Sequence, residues 1–191
     1  DVMWLAQQAF QKALTREPGY LEFLRKFNDR ELVSQASRLS ERKDAIQHGR
    51  FVAVDGDKIY HEPGNEHDVL LLVAKLEGLN AVPLHRFVIW EHTSRVGIDA
   101  IVDLQLTCGW EDHRMATLEL EYQFDNFFRH KHPLELTTFV MCWKVDDSVT
   151  LPGQLSRDAD HDWLWHYTEN NHQLSVFEVR RFPRLEILGG S

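Results

Sequence analysis

Two neighbouring stretches decide the fold: Ile98-Asp-Ala-Ile-Val-Asp-Leu-Gln-Leu106 and Ala116-Thr-Leu-Glu-Leu-Glu-Tyr-Gln-Phe124. Side chains of a strand alternate between its two faces. In the first stretch Ala100, Val102, Leu104 and Leu106 therefore share an apolar face, and Asp99, Ile101, Asp103 and Gln105 share the other. The second divides in the same way, with Leu118, Leu120 and Tyr122 opposite Glu119, Glu121 and Gln123. The polar linker 107–115 contains Gly109, Glu111, Asp112 and His113 and suits a connection between antiparallel neighbours. Asp99, Asp103, Glu119 and Glu121 then fall on one face. Like charges raise each other's pKa and destabilise a fold unless a cation or solvent relieves them. A hard divalent ion with oxygen ligands, Mg2+ or Mn2+, is the natural relief. The bare alternation also describes a sheet with one face in water.

Outward from these strands, the pattern predicts a helix over 66–79 through Leu70, Val73, Ala74 and Leu76, and strands over 87–91 and 138–143. Weaker strands are expected over 164–167, 174–179 and 185–188. The run Phe51-Val-Ala-Val54, the turn Asp55-Gly56-Asp57 and Lys58-Ile-Tyr60 read as a hairpin that opens a domain spanning 51–191. Residues 1–50 are expected to be a helical hairpin or small bundle. Leu5, Ala6, Ala9, Phe10, Ala13 and Leu14 share a face that Pro18-Gly19 ends; a short helix follows over 20–27. Asp29 is then a candidate N-cap for a third helix bearing Leu32, Val33, Ala36, Leu39 and Ile46. These stripes suit packing onto the domain, onto the rest of a larger parent chain, or onto a second copy as a homodimer. The chain opens at Asp1 in a helical pattern, as a fragment of a longer protein would.

Charge is uneven. Residues 1–50 hold nine Lys/Arg against seven Asp/Glu, while 51–191 hold twelve against twenty-three, within a total of −9. The acidic second part argues against strong autonomous DNA binding, which needs a basic footprint. No apolar run approaches the roughly 20 residues of a membrane span, and the start lacks the layout of a signal peptide. Cys108 and Cys142 form neither a CxxC pair nor a disulfide framework, so an intracellular location, cytoplasmic or nuclear, is expected.

An acid in the first helix of the domain (Glu66), Gly97-Ile98-Asp99-Ala100 at a strand start, and Glu119-Leu120-Glu121 on the next strand resemble the PD-(D/E)XK superfamily of restriction-endonuclease-like nucleases. The resemblance covers about 65–143. Phe127-Phe-Arg-His-Lys-His-Pro133 and Phe139-Val-Met-Cys-Trp143 look like the helix and fourth strand that follow the catalytic strand. It implies an α+β or α/β fold with a mixed sheet flanked by helices, and metal-assisted hydrolysis of phosphodiesters, DNA more than RNA, with Mg2+ or Mn2+ as cofactor. Asp99 and Glu119 would hold the ion, Glu66 would be an outer ligand, and Glu121 would activate water. Arg129, His130, Lys131 and His132 would meet the phosphates. The superfamily pattern ends in Lys, whereas Glu121 stands there. A carboxylate in that place serves as general base or extra ligand, or marks a catalytically inactive member acting as a protein-interaction or dimerisation module.

His130-x-His132 is also a candidate metal pair, for which only Glu121 or Asp125 offers a third ligand, and a zinc-dependent small-molecule hydrolase would use it. Asp158-Ala-Asp-His-Asp162 lacks the glycine and closing Glu of a calcium loop and reads as a polar loop. Trp143, Trp163 and Trp165 are expected to pack rather than stack on bases.

Overall fold

In the computed structural model the described residues are Trp4, 18–93, 97–106 and 112–189. They fall into two units divided after Gly49, one residue before the expected boundary. The first contains α1 (Pro18–His48). Beyond Gly19 the helix contains neither Gly nor Pro, and Leu, Glu, Arg, Lys, Gln and Ala, all good helix formers, fill most of it. Glu22 and Lys26 pair at 2.9 Å one turn apart. The expected restart at Asp29 does not occur, because the helix runs unbroken through it. Asn and Asp cost a helix interior only a fraction of a kcal/mol each, roughly 0.7 at most, whereas a restart would leave several backbone groups unpaired. The helix expected over 2–14 lies outside the described residues, Trp4 apart. Leu32, Val33, Leu39 and Ile46 on α1 are exposed. Among the described residues no helix is long and apolar enough to cross a membrane.

The second unit is α+β, with a large mixed sheet and few helices. It opens with β1 (Arg50–Val54) and β2 (Asp57–His61). Asp55 and Gly56 between them both have left-handed φ, of 52° and 88°, as a tight two-residue hairpin turn demands. Then come α2 (Glu66–Gly78), β3 (Arg86–His92), β4 (Ala100–Gln105), β5 (His113–Gln123) and α3 (Asn126–Arg129). They are followed by β6 (Phe139–Lys144), β7 (Gln154–Arg157), β8 (Leu164–Glu169), β9 (His172–Glu178) and β10 (Leu185–Gly189). A three-stranded sheet has the order β10-β1-β2, and a seven-stranded sheet the order β3-β4-β5-β6-β9-β8-β7. The pairs β5–β6 and β6–β9 are parallel; the other pairs of that sheet are antiparallel.

The alternation read from the sequence sorts the core. Val69, Leu72, Val73 and Leu76 of α2 join Ala100, Val102, Leu104, Leu118, Leu120, Met141 and Trp143 in one cluster. Phe124, Phe127, Val140, Cys142, Trp165, Tyr167, Leu174 and Val176 form the other. The central strands thus have buried neighbours on both faces, as parallel strands usually do. Glu119 and Glu121 sit opposite Val140 and Cys142 in the β5–β6 register, on a face that is not in water. The helix expected after the Glu-x-Glu strand is a single turn, α3. β7 was not legible, because Gln154-Leu-Ser-Arg157 is short, polar and at the sheet edge.

Candidate metal centre

The site forms where two strands separate. Pairing of β4 with β5 begins at Ala100 and Leu118. Beyond that pair, Asp99 replaces the missing backbone partner: its Oδ2 accepts from the Leu120 N–H at 2.9 Å. Glu119 and Glu121 project from β5 on either side of this point, both fully buried. Glu66 begins α2, whose N-terminus is capped by Asn65 Oδ1 accepting from the Asp68 N–H at 3.0 Å.

The histidines arrive through the end of α3. The His132 N–H donates to Phe127 O at 3.1 Å and the Lys131 N–H to Phe128 O at 3.2 Å, the pairing that closes a helix around a left-handed residue. That residue is Lys131, φ 60°, a conformation that costs a non-glycine roughly 1–2 kcal/mol. His130 and His132 flank it and both turn toward β5. His130 Nδ1 is 3.0 Å from Glu121 Oε1 and 3.2 Å from Glu66 Oε1. His132 Nε2 is 3.1 Å from Glu121 Oε1, and its Nδ1 is 3.1 Å from Glu119 Oε1. Glu121, His130 and His132 each offer one ligand atom, and these atoms lie within 4.8 Å of one another. The group can hold a metal ion.

Electrostatics disfavour bare carboxylates here, so the two buried acids are held as neutral carboxyls or by a cation. Burial pushes the Glu119 carboxyl up to about 8 from an ordinary 4.5, with Asp99 beside it adding to the rise. Burial, then Glu66, pushes Glu121 up to about 10. As carboxylates they are poorly served: both oxygens of Glu119 and Oε2 of Glu121 accept no hydrogen bond, although all are buried. Nor is His132 a ready counter-charge, because burial holds it below its ordinary value against the opposing pull of Asp99 and Glu66. A neutral imidazole carries one N–H, so it cannot donate to Glu119 and Glu121 at once. Behind them, the buried Cys142 thiol is pushed well above its usual range by burial and by Glu178, Glu121 and Asp125.

Of the residues singled out from the sequence, the structure brings together Glu66, Asp99, Glu119, Glu121, His130 and His132. It leaves the exposed Arg129 and Lys131 outside: Arg129 pairs with the buried Asp125 at 2.6 Å. Asp103 is not a member of the acid group either. Its carboxylate is taken up by Arg86 at 2.9 Å and by the Met115 N–H at 3.0 Å, beside a register shift in the β4–β5 pair. Asp158 serves its own loop, accepting from the Asp160 and His161 N–H groups at 3.0 Å. The three tryptophans Trp143, Trp163 and Trp165 are buried. Of Glu121 and Asp125, the third groups read from the sequence for the His130–His132 pair, the structure brings Glu121, nine residues before His130, beside both rings. That short return, a Glu-x-Glu strand followed within ten residues by His-x-His, was the available clue.

Open space borders the site on both sides. A cleft of ≈ 350 Å³ is lined by Glu66, His67, Leu70, His92, Thr93, Asp99 and Leu120. Another of ≈ 430 Å³ is lined by Gly64, Asn65, Glu66, His67, Tyr122, Asn126 and His130. The chain matches no known family, no curated protein and no solved structure.

Proposed function

We propose that the domain is a metal-dependent nuclease that hydrolyses phosphodiester bonds, with DNA as substrate and Mg2+ or Mn2+ as cofactor. The observation that carries this reading is the convergence of Glu66, Asp99, Glu119, Glu121, His130 and His132 beside two open clefts, with both oxygens of Glu119 and Oε2 of Glu121 buried and accepting no hydrogen bond. The substrate class comes from the resemblance to PD-(D/E)XK nucleases. An acid-bearing helix, Asp99 at a strand start, the Glu-x-Glu strand, a helical turn and a parallel strand occur here in the order that resemblance implies.

The donor set fits a divalent cation, since orphaned carboxylate oxygens are what such an ion would satisfy. Asp99, Glu119 and Glu66 would hold it. When bound, it supplies positive charge for a phosphate oxygen and lowers the pKa of a water molecule. The chain's own residues do the rest. Glu121 Oε1 binds the His130 ring and lies 3.1 Å from His132 Nε2, and in the ionised form of Glu121, Oε2 is the acceptor for a proton of the attacking water. His130 ties α2 to β5 through Glu66 and Glu121, which keeps the two clefts in one alignment. Arg129 and Lys131, exposed on the same turn, would meet the phosphates of a passing strand.

The test is cleavage of supercoiled, linear and single-stranded DNA, and of RNA, with each ion. Cutting of DNA in Mn2+ or Mg2+ that stops in chelator, and falls at least about a hundredfold in Asp99→Ala, is the expected result. If every substrate survives both ions, the nuclease reading is wrong; ion binding without cutting would point instead to a catalytically inactive interaction domain.

A further inference from the structure

We propose that Glu121, His130 and His132 form a transition-metal site in their own right, one that Mg2+ does not fill, with Glu119 as the carboxylate that orients His132. This goes beyond hydrolysis and holds equally for a domain that cuts nothing.

Donor chemistry is the first ground. Two imidazole nitrogens and one carboxylate suit Mn2+, Fe2+, Co2+ or Zn2+, whereas Mg2+ takes oxygen ligands and keeps much of its water. Geometry is the second. Bonds of about 2.1 Å to two ligands at right angles leave those ligands about 3.0 Å apart. Glu121 Oε1 lies 3.0 Å from His130 Nδ1 and 3.1 Å from His132 Nε2. These separations match two edges of such a coordination sphere. The third ground is what stands behind the ligands. A metal-bound histidine usually donates its other N–H to a carboxylate, which fixes the tautomer; His132 Nε2 lies 3.1 Å from Glu121 Oε1 and its Nδ1 3.1 Å from Glu119 Oε1, near enough for Glu119 to take that N–H once an ion occupies Nε2. An ion at Nε2 removes the difficulty of one ring facing two carboxylates. Finally, Glu121 Oε2 is fully buried and has no hydrogen-bond partner, so the site contains an unsatisfied acceptor independent of the histidines.

The probes are Co2+, Zn2+ and Mg2+ added singly to the full chain in solution, without nucleic acid. Co2+ is expected to give a visible absorption band of a nitrogen-ligated ion with one equivalent bound, displaced by Zn2+ but not by a hundredfold excess of Mg2+. His132→Ala should abolish the band, whereas His166→Ala, in the separate Asp158 cluster, should leave it. Glu119→Gln should retain nitrogen ligation and weaken affinity about 10–100-fold. Pulsed electron paramagnetic resonance of Mn2+ bound to unmutated protein reads nitrogen coupling directly, so a variant that fails to fold leaves the question answerable. Displacement by Mg2+ at equal concentration, absence of nitrogen coupling, or a band unchanged in folded His132→Ala each overturns the site. None of these results depends on whether DNA is cut.

Discussion

Glu121→Gln is expected to raise the melting temperature of the ion-free protein at pH 8 and, in the same stroke, to remove its response to Zn2+. Glu121 is fully buried and its carboxyl is pushed up to about 10 by burial first and by Glu66, Asp99 and Glu119 next. In an unfolded chain the group ionises near 4.5. Each pH unit across which the unfolded form is ionised and the folded form is not costs about 1.4 kcal/mol. At pH 8 the native state therefore bears a penalty on the order of a few kcal/mol. Glutamine keeps the length of the side chain and an oxygen for His130 and His132 but carries no such penalty. In a chain of this size a kcal/mol moves the midpoint by about 2–4 °C, so several degrees are expected. Calorimetry decides it, in chelator and then with added Zn2+: a variant less stable than the parent at pH 8 in chelator, or one whose midpoint still climbs with Zn2+, would mean that Glu121 is held by something other than this group.

The pH dependence of the parent should run opposite to ordinary acid denaturation. Both Glu119, at about 8, and Glu121, at about 10, have folded values above the unfolded 4.5. Their contribution to stability is fully present below about 4.5 and is lost as pH rises through the folded values. Ion-free protein should therefore soften between about pH 5 and pH 8. A bound cation favours the ionised forms, so the increment in midpoint on adding ion should grow over the same window. At a hundredfold excess over Kd, binding contributes about 2.7 kcal/mol, or roughly 5–11 °C. Melting curves at pH 5, 6.5 and 8, with and without Mn2+, are the measurement; an increment that stays flat or shrinks with pH contradicts the assignment.

How much of this was written plainly in the chain depends on distance along it. Leu118, Leu120, Val102 and Leu104 alternate with polar neighbours, and that local rule placed them in the core. The same rule put Glu119 and Glu121 on one face, but it could not say that Phe127, Trp165 and Val176 would cover that face, since they come from other elements. A polar alternation on a strand buried on both sides looks identical to one facing water. Asp103 obeyed the alternation yet left the group, because Arg86 from the adjacent strand claims it. The histidines were visible as a pair, but their aim depends on a left-handed turn at Lys131, where no glycine announces it. In α1, Asp29 resembled a cap because capping residues are also tolerated inside helices when nothing else breaks them.

Cys142 lies beside Glu121 across the parallel β5–β6 pair, and its thiol is buried and held in the protonated form. A thiol in that state reacts only when the sheet parts. The residue is therefore a built-in clock for transient opening directly beside the candidate metal centre. With Cys108, which lies outside the described residues, changed to serine, the slow labelling of Cys142 by a thiol reagent would count those openings. The factor by which an ion lengthens the interval between them would report its grip on the native state, in a protein that need never meet a substrate.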